Sequence, residues 1–168
     1  MKRFLLKLRG CQKGLTLVEL LVALAIGSLL IVGISTIYIQ IIKITKDSSN
    51  HMTALRQVQV AGHWVSLDTQ GAKDFDFSAD PWELTIYWDD INGIEYSSVY
   101  RISEQGVLTR EYYNAGILAG TAMIAESIVP AETVYDLTLA HGVEFRVTAQ
   151  VHNITETRAY RVLSRLLQ

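Results

Sequence analysis

The sequence predicts an α+β fold, with one long N-terminal helix, apolar through its first half, packed against an antiparallel β-sheet. Three observations carry that expectation. Residues 15–42, LTLVELLVALAIGSLLIVGISTIYIQII, are apolar with Glu19 as their only charge. Residues 43–73 place apolar side chains among polar ones at three-to-four spacing, the period of a helix with one buried side. From Trp82 onward the pattern changes to short alternating runs rich in Val, Ile, Thr, Tyr and Trp, the period of strands.

The chain starts with a basic leader. Its first fourteen residues, MKRFLLKLRGCQKG, hold Lys2, Arg3, Lys7, Arg9 and Lys13 and no acid. Ten basic residues then remain against seventeen acidic ones, so the body carries a net charge of −7. An acidic body counts against nucleic acid as a partner, since phosphate binding requires a basic face. The single cysteine, Cys11, lies in the leader, which leaves the body without a disulfide or a thiol nucleophile. Leu8-Arg9-Gly10-Cys11 is similar to a lipoprotein cleavage box, but the apolar run that such a signal needs follows this cysteine instead of preceding it.

Residues 15–42 are long enough to cross a membrane. As a helix they run roughly 40 Å at ~1.5 Å per residue, beyond a hydrocarbon core of about 30 Å. They are apolar on every side, as a bilayer helix is and an amphipathic surface helix is not. The preceding positive charges place Met1 in the cytoplasm and the chain after Lys43 outside. Ala23-Leu24-Ala25 offers a secretory A-x-A site, yet cutting there leaves Ile26–Ile42 as an insoluble mature end.

Glu19 is the informative residue. A carboxylate inside a span costs about 2.5–3.5 kcal/mol on insertion scales, so it calls for a partner or a function. The nearest upstream base, Lys13, is six residues back in the leader. Two readings stay open. In the first, the carboxylate reaches the interface near the start of the helix; a plain signal anchor by itself gives no reason for Glu19. Alternatively, a cut after Gly14 creates an α-amino group on Leu15, four residues before Glu19 and within contact range on a helix or between staggered neighbours. Such a pair sets register more than stability.

The next segment, residues 43–73, continues the helix. Met52, Leu55, Val58 and Val65, with Ala54, Ala61 and Ala72 as small companions, form its expected buried stripe. Asp47-Ser48-Ser49-Asn50 is a polar interruption and a candidate break. Gly71 and the run from Asp74 to Pro81 end the helix. Residues 82–88 read as a strand, Asn92-Gly93 as a type I′ hairpin turn with both central residues at positive φ, and residues 94–102 as the returning strand. Gly106 sits in the next turn, residues 107–113 form a third strand, and an Ala/Gly-rich connection follows. Residues 134–139 and 143–151 read as a hairpin turning at His141-Gly142, and 158–166 as a final strand or a short helix at its tip.

Gly14-Leu15-Thr16-Leu17-Val18-Glu19-Leu20 resembles the prepilin motif of the type IV pilin-like family, usually G-F-T-L-x-E before a long apolar helix. The resemblance implies that a dedicated membrane protease cuts after Gly14 and N-methylates Leu15, with Thr16 and Glu19 at the assembly contact. Leu15 stands where phenylalanine is usual. Thr36 stands where many major pilins have proline, which counts against a major pilin and leaves the minor members open. The implied plan is a leader (1–14), a transmembrane and assembly helix (15–42), its amphipathic continuation (43–73) and a β-rich head (74–168). The implied partners are other pilins or pseudopilins, the prepilin peptidase/methyltransferase, an inner-membrane assembly platform and membrane lipid. The implied location is the cytoplasmic membrane, single-pass, and then a pilus or a type II secretion pseudopilus. No cofactor and no enzymatic activity are expected. Tyr100-Arg101-Ile102, Gly106-Val107-Leu108 and Arg110 also resemble the sheet of the J-type pseudopilins and W-type minor pilins.

Chemistry is sparse in the body. Asp74, Asp76 and Asp80, with Glu83, are the best metal candidates, since calcium takes six to eight oxygen ligands. Alternation with Phe75 and Phe77 instead suggests solvated acids with two rings turned inward, and EF-hand spacing is absent. Asp89-Asp90-Ile91-Asn92-Gly93 reads first as hairpin chemistry. His51, His63, His141 and His152 are scattered without metal-ligand spacing. Trp64, Trp82 and Trp88 are expected in the core. Asn153-Ile154-Thr155 fits a glycosylation sequon, and no G-x-S-x-G or phosphate loop occurs. The leading expectation is a structural subunit. The alternative is a competence or adhesion pilin on the same anchor that binds DNA or a surface ligand, and a tethered hydrolase has only the acidic run in its favour.

Overall fold

The computed structural model describes residues 16–139 and 142–163. Helix α1 spans Leu17–Gln70 and is followed by strands β1 (Asp74–Ala79), β2 (Trp82–Asp89), β3 (Glu95–Ile102), β4 (Leu108–Asn114), β5 (Ile117–Ala125), β6 (Val134–Leu139), β7 (Gly142–Val151) and β8 (Ile154–Leu163). The expected α+β class stands: one long N-terminal helix and antiparallel sheet. The chain divides into two compact units with the boundary after Thr45. The polar run Asp47–Asn50, a candidate break, is helical throughout.

In the first unit, the apolar residues of α1 are uncovered: Leu29 is 74% exposed and Ile34 67%. Its most apolar stretch has a mean hydropathy of 2.6, enough to cross a membrane. The serine and threonine hydroxyls of the span are satisfied inside the helix. Ser28, Ser35, Thr36 and Thr45 donate to the carbonyls of Ala25, Ile31, Val32 and Ile41 at 2.8–2.9 Å. Hydrocarbon offers no competing partner, so self-satisfied hydroxyls are the ones a span tolerates.

In the second unit, α1 buries Ala54, Val58, Ala61, Gly62, Val65 and Thr69. Met52, expected in that stripe, is 60% exposed. Val58, Val65, Ala54, Ala61 and Ala72 of that stripe are buried and Leu55 is half-buried, and its many small side chains let the helix approach closely. Gly62 lies against the ring of Tyr160, whose hydroxyl donates to the Val58 carbonyl at 3.1 Å.

One sheet was expected, but the described strands form two: β1-β2-β3-β4-β5 and β6-β7-β8, every pair antiparallel. Leu84, Ile86, Tyr100 and Leu108 of the first share a core with Tyr135, Phe145 and Val147 of the second and with Val58, Ala61 and Val65 of the helix. Trp82 ties the sheets by donating its indole N–H to the Thr133 carbonyl at 2.7 Å. A bridge between Ile128 and Ala149 adds a second tie.

Two strands arise where the sequence suggested none. The run after the helix forms β1, with Phe75 and Phe77 half-buried and Asp74 and Asp76 exposed, so the inward rings were anticipated although the strand was not. The Ala/Gly-rich connection holds β5. Turn chemistry explains part of this. Gly93 alone has positive φ in its turn, which closes through Gly93 N–H to Asp90 C=O at 3.1 Å and Asp90 N–H to Ile94 C=O at 2.9 Å. That is a three-residue loop ending in a left-handed glycine, not the expected type I′ turn. The two-residue turn with both φ positive is Ala115-Gly116, at 50° and 77°, which folds β5 back onto β4. β8 begins at Ile154, before the expected Arg158, and residues 164–166 and His141 lie outside the described residues.

Candidate functional site

The start of α1 is a reciprocal cap. Glu19 Oε2 accepts the Thr16 backbone N–H at 2.9 Å and the Thr16 hydroxyl at 3.0 Å, while the Glu19 N–H donates to Thr16 Oγ1 at 3.3 Å. Leu20 N–H closes the first turn on the Thr16 carbonyl at 3.1 Å. This is a capping box: a Thr before the first turn and a Glu three residues later satisfy each other's orphan groups. The T-x-x-E spacing of the sequence is the signal for this cap. Glu19 therefore has a local partner in this chain. Both bonds fall on Oε2, leaving Oε1 without a protein partner among the described residues. Gly14 and Leu15, the expected cleavage and methylation positions, lie outside the described residues.

The second unit is locked by a charge cluster centred on a residue that sequence reasoning did not single out. Asp68, on α1, accepts Arg110 Nε at 2.8 Å and Nη2 at 3.1 Å, and the Tyr100 hydroxyl at 2.6 Å. The side chains of Arg110 and Asp68 are 16% and 8% exposed. Tyr100 and Arg110 face each other across β3 and β4, so the two strands present a phenol and a guanidinium to one carboxylate on the helix. Burial pushes the Tyr100 hydroxyl far above its usual range, with the Asp68 charge adding to it. Burial works against the Arg110 charge, but the bonds and charge of Asp68 outweigh it, and the guanidinium is held above its usual value. The guanidinium also lies 5.3 Å from the Trp64 ring centroid. Tyr100 and Arg110 are thus structural residues that clamp sheet to helix. An Asp one helical turn after Trp64 gives little sequence signal until the strands are in register.

The acidic metal candidates are not gathered. Asp74 accepts the Phe75 N–H at 2.8 Å, and Asp76 and Asp80 are exposed. Glu83 is engaged by Arg101 at 2.6 Å and Asp89 by Lys73 at 2.7 Å. Asp90 caps its hairpin through the N–H groups of Asn92 and Ile94 at 2.7 and 2.9 Å, and its carboxyl is held below the usual range, most by the Ile94 N–H. Among the described residues, no group of three or more His, Cys, Asp or Glu could hold a metal ion. His51 pairs with Glu156 at 2.8 Å, far in sequence from the exposed His63 and from His152 in the turn before β8. Of the tryptophans, Trp82 is buried in the core as expected, while Trp64 is 36% exposed and Trp88 lies in an aromatic row with Tyr96 and Tyr112.

The family model of the prokaryotic N-terminal methylation motif matches residues 9–35, covering the end of the basic leader, Gly14, the capping box and most of the apolar span. No curated protein and no solved structure matches the chain. The chain carries that N-terminal motif, and its apolar helix fits anchoring in the inner membrane.

Proposed function

We propose that this chain is a structural subunit of the type IV pilin-like class, a minor pilin or pseudopilin. In this reading, prepilin peptidase cuts between Gly14 and Leu15, methylates the Leu15 amine, and leaves residues 15–42 as the assembly helix, 43–73 as its continuation and 74–168 as the head. The observation that carries the reading is the methylation-motif match over residues 9–35, joined to an apolar helix whose first-unit surface is uncovered. Cutting places an α-amine one residue ahead of Thr16. Glu19 Oε1 is free to accept it, from the same chain or from a staggered neighbour, while Oε2 stays in the cap. Other subunits then cover the helix that nothing in its own unit covers. The sheet resemblance around Tyr100 and Arg110 favours the J- or W-type minor subunits over a major pilin.

The test is Gly14→Arg in the native host. The expected result is uncut precursor retained in membranes and loss of assembly. Normal cutting and normal filaments from that variant contradict the proposal.

A further inference from the structure

Four strands form the edges of the two sheets: β1 and β5 of the larger, β6 and β8 of the smaller. Three of them carry charge. β1 holds Asp74 and Asp76, β6 holds Asp136, and β8 holds Glu156, Arg158 and Arg161. Charged side chains on an edge are a common way of keeping it from pairing with another chain. β5, ILAGTAMIA, has neither charge nor proline. Every residue from Ile117 to Met123 is exposed, with Ile117 at 73%, Leu118 at 51% and Met123 at 62%. Its irregularities, between Leu108 and Thr109 and between Tyr112 and Tyr113, lie on the side facing β4. The outer backbone edge is unpaired among the described strands.

We propose that β5 pairs antiparallel, edge to edge, with β5 of a second copy of this chain, fusing two five-stranded sheets into one. An open ladder of N–H and C=O groups selects an extended backbone as its occupant. A two-fold contact places the same strand on both sides, so a strand carrying charge of one sign only brings like charges together along one short ladder. β1 and β6 carry only acids and are disfavoured for such a contact, and the long charged side chains of β8 keep that edge in water. β5 has nothing to repel. Its apolar residues on both faces lose water when the ladder closes.

The edge is about 30 Å long at ~3.4 Å per residue. A ladder of that length is a small contact beside the ~1,600 Å² of a standard stable interface. It therefore forms where two copies share one membrane, which confines both to one plane and one orientation and so lowers the cost of meeting. The contact rests on anchoring by α1 and not on leader cutting, so it goes beyond the assembly reading.

Cross-linking tests it on the full chain in membranes. In a Cys11→Ser background, single variants Leu118→Cys, Thr121→Cys and Met123→Cys are oxidised with copper–phenanthroline, with Ser78→Cys on β1 as the control. The expected result is disulfide dimer of this chain from at least one β5 position and little from Ser78→Cys. Adding Thr121→Lys to the Met123→Cys variant is expected to lower its dimer at least tenfold. The uncut Gly14→Arg chain is expected to cross-link equally, which separates this contact from processing. Equal dimer from the β1 control, no dimer from any β5 position, or capture only of a different protein overturns the proposal.

Discussion

Gly62→Ala is the sharpest test of how the helix meets the second sheet, because two known effects oppose each other there. In a bare helix, this change stabilises by about 1 kcal/mol, since Ala loses less backbone entropy than Gly. Here, a Cβ on Gly62 lands 2.1 Å from Cε2 and Cζ of Tyr160 and 2.6 Å from Cδ2. Carbon atoms prefer about 3.5–4.0 Å, so the ring must retreat by more than an ångström. Retreat strains β8 and stretches the 3.1 Å bond from the Tyr160 hydroxyl to the Val58 carbonyl. Overpacking of this kind costs about 1–3 kcal/mol and the hydrogen bond about 1, so the net loss is about 1–3 kcal/mol after the helical gain. In a Tyr160→Ala background the obstacle is gone, and the same substitution is expected to stabilise by about 1 kcal/mol. The assay is urea unfolding of the full chain in detergent, followed by tryptophan fluorescence, with Trp82 buried in the folded core. A loss of about 2 kcal/mol moves the midpoint by roughly 1 M. Gly62→Ala stabilising equally in both backgrounds refutes the packing described here.

Further expectations concern the clamp, the buried phenols and the cap. Asp68→Asn leaves the Arg110 guanidinium without its counter-charge and is expected to cost about 2–4 kcal/mol in the same urea assay, with a smaller cost when Arg110→Gln is already present. Tyr100 and Tyr135 are both held above the ordinary phenol value of about 10, in each case chiefly by burial. The neutral phenol is thus the folded form: stability is complete below pH ~10 and falls as pH rises further, by up to about 1.4 kcal/mol per unit for each tyrosine. Phenolate absorbance is expected to appear together with loss of fluorescence, and titration of both near pH 10 in a still-folded protein contradicts their burial. Thr16→Ala removes the hydroxyl half of the cap and is expected to cost about 1 kcal/mol locally, read as faster hydrogen exchange in the first turn of α1 in micelles.

The helix was legible because its signals are local. Composition marks the span, three-to-four spacing marks the continuation, and Gly14 through Leu20 carry the motif as a contiguous string. The head was legible where alternating apolar runs stood out, as in β2 and β3, although the type of the turn between them was not. β5 escaped because Ala and Gly have low strand propensity and Ala115 gives no hint of positive φ; pairing with β4 overrides both. β1 escaped because its acids read as a loop, although the alternation with Phe75 and Phe77 was already a strand period. The clamp of Asp68 on Tyr100 and Arg110 joins residues 32 and 42 positions apart, a relation that register creates and sequence spacing does not encode. Thr16 and Glu19 were both singled out for assembly, yet their first physical relation is to each other.

The assembly reading stands on where the mature chain starts. Intact and N-terminal peptide mass spectrometry of the protein from its own membranes tests this most directly. The expected product begins at Leu15, carries one added methyl on its α-nitrogen, and lacks residues 1–14. A chain that keeps Met1, or one that starts at any residue other than Leu15, contradicts it.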